Sequence, residues 1–197
     1  MRYRYLICAF VLWASVGFTA CEEKTAVKAG KLNLENGSFS LYIYDDAADR
    51  GDSSIAMSQQ TVRNEKGENA TVWRFNGKVT TKYTYGYTGV VILPDDKNLA
   101  LLQNSAEKIK LRVSGDNREY RLSVDTENVK DGNTFGRTIT FPKRYEDIVI
   151  PIASLKQDSG WGTAVPFKQE LIKNLKIQTV GQPVSSFSFT IHSVAIE

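Results

Sequence analysis

Three tyrosines stand at every second position of one short stretch, at Tyr83, Tyr85 and Tyr87. Residues 82–93 are predicted to form a strand, and side chains two positions apart on a strand share a face. A row of tyrosines can stack on sugar rings and offer hydroxyl groups, whereas the same row facing inward would line a hydrophobic core. Tyr87 is the strongest candidate for a ligand contact, because it lies next to a strand bend expected at Gly89.

Four aspartates crowd a single turn, at Asp45, Asp46, Asp49 and Asp52. Oxygen ligands at this density can hold Ca²⁺, although the spacing is not that of an EF-hand loop. The alternative is a solvated turn in which the carboxylates accept hydrogen bonds from nearby backbone N–H groups. The sequence therefore requires no cofactor, and it leaves a structural calcium ion open.

Composition excludes several classes of catalytic site. The chain has one histidine, His192, and two cysteines, Cys8 and Cys21, both near the N-terminus. Cys–His catalysis and zinc sites built from histidine and cysteine therefore lack the residues they need. His192 alternates with apolar neighbours and is expected to face solvent from the last strand. No glycine-rich loop opens a helix, so a nucleotide site has no support, while a pair of catalytic carboxylates stays an open alternative.

The N-terminus has the order of features of an export signal. A basic start precedes an apolar run over residues 6–18, which is too short to span a bilayer comfortably. The Thr-Ala-Cys triplet that ends at Cys21 resembles the lipobox of bacterial lipoproteins. We therefore predict a lipoprotein signal peptide over residues 1–20, a lipid-anchored tether over residues 21–30 and one domain over residues 31–197. The alternative is a plain signal peptide cut near Ala20.

This N-terminal prediction sets the expected location and partners. Lipidation of Cys21 would anchor the chain in a membrane of the bacterial cell envelope, expected to be the outer membrane. Loss of the basic start would bring the formal charge of +3 close to zero. Because no basic patch is evident in the sequence either, nucleic acid is not expected as a partner.

Period-two alternation of apolar and polar residues dominates the rest of the chain. It is clearest over residues 108–113, 120–125 and 187–192, where each run has one apolar and one polar face. We predict that the apolar residues of these runs point inward: Ile109, Leu111, Val113, Leu122, Val124, Phe187, Phe189 and Ile191. Further strands are predicted over residues 38–44, 70–75, 82–93, 134–141, 146–151 and 171–179. About nine short strands with hardly any helical periodicity indicate an all-β fold, an antiparallel sandwich or barrel.

The order of motifs along the chain resembles a known domain. IKLRVSGDNREYRLSVDT contains a strand, a Gly-Asp turn and a second strand with a tyrosine; YEDIVIPIASLKQ ends a strand on Ile-Pro, and GWG and SFSFTIHSVAI follow. Upstream lie an Asp-rich stretch, YIYDDAADRGDSSIA, and an aromatic strand ending at glycine, KYTYGYTGVVI. From residue 38 to residue 196 the chain resembles the galactose-binding-like jelly roll shared by the complex I intermediate-associated protein 30 family and the family 11 carbohydrate-binding modules.

The chain departs from this pattern at three places. Tyr145 stands where the pattern has tryptophan, and Asp52 stands where it often has glycine. His192 and Ser193 replace an acidic pair that often precedes the last isoleucine. The third departure weakens the expectation of a complete calcium site, which some relatives have.

The resemblance implies an antiparallel β-sandwich (jelly roll) with a ligand site on its concave sheet. In the carbohydrate-binding relatives this sheet presents charged and tyrosine side chains to sugar hydroxyls, and by analogy the candidate ligand-binding residues are Tyr87, Arg121, Asp125 and Arg137. For the charged residues the alternative is a solvated face with cross-strand ion pairs. The implied function is non-catalytic binding of a polysaccharide or oligosaccharide. The alternative is an envelope scaffold or assembly factor that holds a protein partner through the same fold.

Trp161 stands between two glycines in a long loop, over about residues 155–169. A similar Trp-Gly feature belongs to both branches of the resembled fold, which favours a structural role over contact with one ligand. We therefore predict that Trp161 is mostly buried, with Phe167 as a second anchor of the loop. Truncation of a buried tryptophan to alanine would cost about 3–5 kcal/mol. The alternative is an exposed platform at the rim of a binding site.

Overall fold

The computed structural model describes the backbone of residues 30–34, 37–64, 66–82, 85–180 and 183–197, and it describes side chains from residue 38 onward. The predicted signal peptide, the lipidation site Cys21 and the first tyrosine of the predicted row, Tyr83, lie outside the described residues. Within the described part of the chain, no helix is both long and apolar enough to cross a membrane.

Eleven strands and one α-helix make up the described fold, in the order β1 (Gly30–Leu34), β2 (Gly37–Asp45), β3 (Ser54–Arg63), β4 (Asn69–Val79), β5 (Thr88–Pro94), α1 (Asp96–Asn104), β6 (Lys108–Ser114), β7 (Glu119–Thr126), β8 (Phe135–Thr140), β9 (Glu146–Pro151), β10 (Ile172–Thr179) and β11 (Val184–Ile196). A six-stranded sheet has the order β1-β2-β5-β10-β7-β8, and a five-stranded sheet has the order β3-β4-β11-β6-β9. All pairings between named strands are antiparallel. The prediction of an all-β antiparallel sandwich is confirmed.

The core lies between the two sheets, as the alternation of apolar residues requires. All eight residues predicted to point inward are at most 3% exposed. Aromatic rings add a cluster in which the Tyr120 ring lies 4.7 Å from that of Phe141 and 4.9 Å from that of Phe189. A slip of one residue in any of these strands would turn its apolar side chains to solvent, so burial fixes the register.

The alternation breaks within the second half of β11, at the polar pair His192 and Ser193. The pairing of β11 with β6 shifts between Ile191 and Ser193, and both Ile191 and Val194 are buried. An irregularity of this kind inserts an extra residue, so the apolar phase resumes one position later. The two polar residues consequently stay out of the core without disturbing it.

Helix α1 and the start of β5 differ from the predicted elements. The α-helix was not predicted, although Asp95 is a suitable N-cap residue directly after Pro94 and its carboxylate accepts a hydrogen bond from Asn98 N at 2.9 Å. Hydrogen bonds from the backbone N–H groups of Asn98 and Ser38 lower the pKa of Asp95. The strand predicted from residue 82 begins only at Thr88.

Candidate functional site

The outward side of the six-stranded sheet carries three rows of residues, which we call the outer face. Directly paired residues on antiparallel strands project to the same side, so the register defines each row. The first row is Tyr44, Gly89, Gln178, Arg121 and Thr138; the second is Tyr42, Val91, Lys176, Ser123 and Gly136. The third row pairs Ser40 with Leu93 and Asn174 with Asp125. Tyrosine, charged and amide side chains thus converge on one surface.

Tyr44 lies flat across its neighbouring strand because that strand has a glycine there. A Cβ atom at Gly89 would come within 2.5 Å of the Tyr44 ring, so no side chain fits beneath it. The Tyr44 hydroxyl crosses β5 and donates a hydrogen bond to Gln178 Oε1 at 3.2 Å. Burial, reinforced by the charge of Asp125, raises the pKa of Tyr44 well above its ordinary value. The hydroxyl therefore remains protonated and acts as a donor.

Lys176 and Asp125 form an ion pair in the middle of the outer face. The Lys176 Nζ lies 2.6 Å from Asp125 Oδ2 and 5.9 Å from the centre of the Tyr44 ring. An ammonium group has three N–H donors and a carboxylate accepts several hydrogen bonds, so each group keeps bonding capacity beyond the pair. The pair consequently offers a donor and an acceptor side by side, next to the Tyr44 ring.

Tyr87 adjoins this surface from the loop before β5. Its ring centre lies 6.2 Å from that of Tyr44, and its hydroxyl donates to Asp49 Oδ2 at 2.6 Å. Because β5 begins at Thr88, Tyr85 and Tyr87 do not belong to a strand. The prediction that the tyrosines share a strand face is therefore wrong for these two, although Tyr87 does lie beside the outer face.

Arg121 lies in the first row, but its guanidinium binds a loop. Its Nη2 donates to the carbonyl oxygens of Thr134 and Lys156, each at 3.1 Å, and its Nη1 lies 2.8 Å from Asp158 Oδ1. The side chain is 15% exposed. These three contacts attach loop residues to the sheet. Arg121 therefore does form an ion pair, as the alternative for the charged residues holds, but its partner lies in a loop and not on a neighbouring strand.

Arg137 is not on the outer face. The register pairs Arg137 with the buried Leu122, and it places both on the inward side of the sheet together with Phe135 and Ile139. Strand β8 is the edge of the sheet, so an inward-pointing arginine there passes beyond the core and remains exposed. The prediction that Arg137 joins Arg121 at one site is therefore wrong, because period-two alternation separates their faces.

Trp161 is 51% exposed, so the prediction that it is buried is wrong. A buried amide holds the backbone of its loop instead: Asn133 Nδ2 donates to the carbonyl oxygens of Trp161 at 2.7 Å and Asp158 at 3.0 Å. Asn133 Oδ1 accepts from Asp158 N at 3.0 Å. The Gln157 side chain adds hydrogen bonds to Thr163 O and from Val165 N. Polar side chains thus supply the order that the indole was predicted to supply.

Phe167 does anchor the far end of this loop. Its ring is partly buried against the core and meets the Phe135 ring edge to face, with centres 4.9 Å apart. Asn128 Nδ2 donates to Pro166 O at 3.0 Å beside it. The structure therefore places Phe167 where the sequence predicted an anchor.

The four aspartates of the turn do not converge. The buried carboxylate of Asp46 accepts from Ser53 N at 2.9 Å and from Ser53 Oγ at 2.6 Å, while Asp45 caps the 3₁₀ turn Asp46–Asp49. Asp49 accepts from Tyr87, and Asp52 lies 3.9 Å from a lysine ammonium. Among the described residues no group of three or more His, Cys, Asp or Glu side chains is placed to hold a metal ion. Each of the four carboxylates therefore has a different partner: a backbone N–H of the turn, Ser53, the Tyr87 hydroxyl and a lysine.

His192 lies on the outer side of the five-stranded sheet, on the opposite layer. Its Nε2 lies 3.2 Å from Ser114 Oγ, and its ring centre lies 5.3 Å from that of Tyr145. It is half-buried, and burial together with the charge of Arg112 lowers its pKa. Among the described residues no hydrogen bond joins a carboxylate to its second nitrogen, so a Ser-His-Asp set is not assembled.

Four outer-face residues were missed by the sequence reasoning: Tyr42, Tyr44, Lys176 and Gln178. Tyr42 and Tyr44 alternate with the core residues Leu41 and Ile43, so the period-two pattern of β2 already assigns them to the outward face. The two residues of β10 alternate in the same way with buried neighbours. The sequence of each strand shows which residues face outward. It does not show which strands lie next to each other in the sheet.

Comparison with known proteins agrees with this architecture. A family 11 carbohydrate-binding module of a cellulosomal cellulase of Clostridium thermocellum superposes with a TM-score of 0.60 at 18% identity, covering 87% of this chain and 95% of that one. A family 11 module from the same organism, in complex with a β-1,3-1,4-mixed-linked tetrasaccharide, gives 0.58 at 17% identity, covering 87% and 96%. At such identities the likeness establishes the fold. The search of curated proteins found no match.

The family comparison covers most of the sequence. The family model of complex I intermediate-associated protein 30 matches residues 33–191, which includes every described strand except the ends of the first and last. The matched region holds both sheets, the outer face and the Trp161 loop. The chain therefore belongs to the complex I intermediate-associated protein 30 family.

Proposed function

We propose that this protein is a non-catalytic carbohydrate-binding protein that holds a polysaccharide or oligosaccharide on its outer face. The observation that carries the proposal is the row-by-row register, which places Tyr42, Tyr44, the Lys176–Asp125 pair and Gln178 on one side of the sheet. A sugar ring has an apolar face and a rim of hydroxyl groups. Aromatic rings flanked by charged and amide hydrogen-bonding groups complement both.

Each part of the face has a definite role in this proposal. Tyr42 is 36% exposed and presents its ring to solvent, so it is the surface on which a sugar ring would stack. Hydroxyls of another sugar of the same glycan would donate to the Asp125 carboxylate and accept from the Lys176 ammonium. Such a site is open and polar, so we expect dissociation constants from micromolar to millimolar, or roughly −8 to −4 kcal/mol.

The charges of the outer face support binding rather than catalysis. Asp125 is neutralised by Lys176, and Arg121 is engaged by Asp158 and two backbone carbonyls. A glycosidase instead needs two carboxyl groups at a defined separation across one glycosidic bond. Paired charges on a sheet face provide fixed hydrogen-bonding partners, which is what recognition of hydroxyl groups requires.

A glycan array followed by calorimetry tests this function. The full chain and a Tyr42→Ala variant are compared, with Tyr145→Ala as the control, because Tyr145 is an exposed aromatic residue on the opposite sheet. We expect at least one glycan to bind the wild type and the control equally, and to bind Tyr42→Ala roughly tenfold more weakly. Absence of binding to every glycan would overturn the proposal.

The family match favours a second candidate function. The family is named for a protein associated with an assembly intermediate of complex I. By this reading the outer face, with Leu93 and Tyr42 exposed on it, holds a protein of the envelope. Cross-linking in cells would then capture one partner whose yield falls with Tyr42→Ala, while the glycan array stays negative.

The proposed setting is the bacterial envelope, with the chain anchored by lipid on Cys21. The support is the basic start, the apolar run over residues 6–18 and the Thr-Ala-Cys triplet. One acyl chain binds membranes only marginally, so stable anchoring calls for more than one. Mass spectrometry of the membrane fraction should find a chain that begins at a multiply acylated Cys21, and an unmodified Cys21 in that fraction would contradict the proposal.

A further inference from the structure

The Trp161 loop presents its indole to solvent by its own backbone geometry. Gly160 and Gly162 flank the indole with φ of +90° and +68°, values that residues with a side chain rarely adopt. A Cβ atom at Gly162 would also approach Asn133 Cβ to 2.8 Å. Between these two left-handed glycines the Trp161 side chain is 51% exposed, although folding into the surface would bury more apolar area.

The loop that carries the indole is ordered without help from the indole. Asn133 is only 2% exposed and donates to Trp161 O, so it fixes the backbone at the tryptophan itself. Asp131 accepts hydrogen bonds from Thr163 N on one side and from Asn133 N on the other. Phe167 supplies the apolar anchor. A ligand that contacts the indole would therefore meet a preorganised group and lose little affinity to ordering of the loop.

The same loop is fastened to the outer face. Lys156 and Gly136 exchange backbone hydrogen bonds of 2.9 and 3.1 Å, which lays the loop along the free edge of β8. Arg121, a member of the first row, reaches over this edge to Asp158. Asp158 precedes Trp161 by three residues, so their Cα atoms are at most about 11 Å apart. The indole therefore stands at the β8 edge of the outer face.

We propose that Trp161 is a stacking platform for a sugar ring at the end of a glycan, extending the outer face beyond the edge of the sheet. This inference rests on the proposed carbohydrate-binding function. Indole offers a large flat surface to the apolar face of a pyranose ring, and its half-exposed position leaves that surface accessible. A platform at the edge adds affinity only for glycans long enough to reach from the rows of the outer face to the loop.

Length-resolved binding of the full chain tests the platform. The probes are cello-, xylo- and manno-oligosaccharides from disaccharide to hexasaccharide, and β-1,3-1,4-gluco-oligosaccharides from trisaccharide to hexasaccharide. Calorimetry compares wild type, Trp161→Ala, Trp161→Phe and the control Tyr145→Ala. Acrylamide quenching of wild type and Trp161→Phe gives the exposure of this indole by difference, with and without the hexasaccharide, because the other two tryptophans, Trp13 and Trp73, are common to both proteins.

Three outcomes are distinguished. If Trp161 is a platform, Trp161→Ala weakens binding of the longest oligosaccharide roughly tenfold and that of the shortest hardly at all. Trp161→Phe, which keeps an aromatic ring, binds the longest oligosaccharide more tightly than Trp161→Ala does. The hexasaccharide also protects the indole from acrylamide quenching. Equal affinity of wild type and Trp161→Ala at every length would overturn the platform and leave the proposed function standing. Absence of wild-type binding to these oligosaccharides and to every glycan of the array would overturn both.

Discussion

The long loop over about residues 155–169 should be stabilised by Asn133 and not by Trp161. The free energies of unfolding of the two alanine variants separate their roles. Asn133→Ala removes three hydrogen bonds, two donated to the carbonyls of Asp158 and Trp161 and one accepted from Asp158 N. A typical hydrogen bond contributes about 1 kcal/mol net, and buried groups left without a partner cost more. The expected loss in the free energy of unfolding is therefore about 2–4 kcal/mol. Trp161→Ala removes a half-exposed side chain, and we expect a loss of about 0.5 kcal/mol or less.

Urea unfolding followed by circular dichroism measures both changes. For a domain of this size each kcal/mol shifts the melting temperature by roughly 2–4 °C, so Asn133→Ala should lower it by about 4–16 °C. Asn104→Ala is a matched control, because the Asn104 side chain is exposed and makes one hydrogen bond within α1. A loss of about 3 kcal/mol or more for Trp161→Ala, with a small effect of Asn133→Ala, would refute the reasoning.

Three further predictions concern the supports of the outer face. Phe167→Ala should lower the free energy of unfolding by about 2–3 kcal/mol, because it removes the edge-to-face contact with Phe135; urea titration measures this, and an unchanged midpoint would contradict it. Backbone hydrogen bonds lower the pKa of Asp131 in the folded state, so its contribution to stability is present above the unfolded pKa near 4 and is lost as pH falls through the lowered folded value. Unfolding measured across this range should show a steeper acid loss in wild type than in Asp131→Asn, and parallel curves would argue against it. Gly89→Ala should weaken glycan affinity and also lower the melting temperature, because the added Cβ would meet the Tyr44 ring at 2.5 Å and the Ile177 carbonyl oxygen at 2.6 Å; calorimetry on the folded variant checks the affinity, and unchanged affinity would count against the assigned position of that ring.

The hydrophobic core could be predicted from the sequence because its cause is local. Apolar residues at every second position, such as Ile109, Leu111 and Val113, can be buried together only on one face of a strand. The eight inward residues were therefore identified without knowledge of which strands are neighbours. The phase change at His192 and Ser193 lay outside this rule, because an irregularity depends on the partner strand.

The ends of elements were harder to predict than their interiors. The strand expected from residue 82 begins only at Thr88, because the residue before it makes contacts with the aspartate turn instead. Tyr87 N lies 3.4 Å from Asp46 Oδ2, and the Tyr87 hydroxyl donates a hydrogen bond to Asp49. These contacts join residues about forty positions apart. Helix α1 carried a local signal in Asp95, but its apolar face is short.

The candidate site could be predicted only in part, because it depends on strand order. Asp125 and Arg121 do lie on the outer face, yet their partners Lys176 and Asp158 come from distant parts of the sequence. Arg137 was misplaced although it shares a period-two face with the buried Phe135 and Ile139. Trp161 was misassigned for a related reason, since the residue that orders its loop is a buried asparagine 28 positions away.

The central claim is that a glycan occupies the outer face of the six-stranded sheet. An NMR titration of isotopically labelled full-length protein with the strongest ligand of the glycan array tests it most directly, because every backbone amide reports separately. We expect shift changes to cluster on β2, β10 and β7, at Tyr42, Lys176 and Asp125, and to leave β11 and β6 of the opposite sheet unchanged. Shift changes centred on the opposite sheet, around His192 and Tyr145, would contradict it.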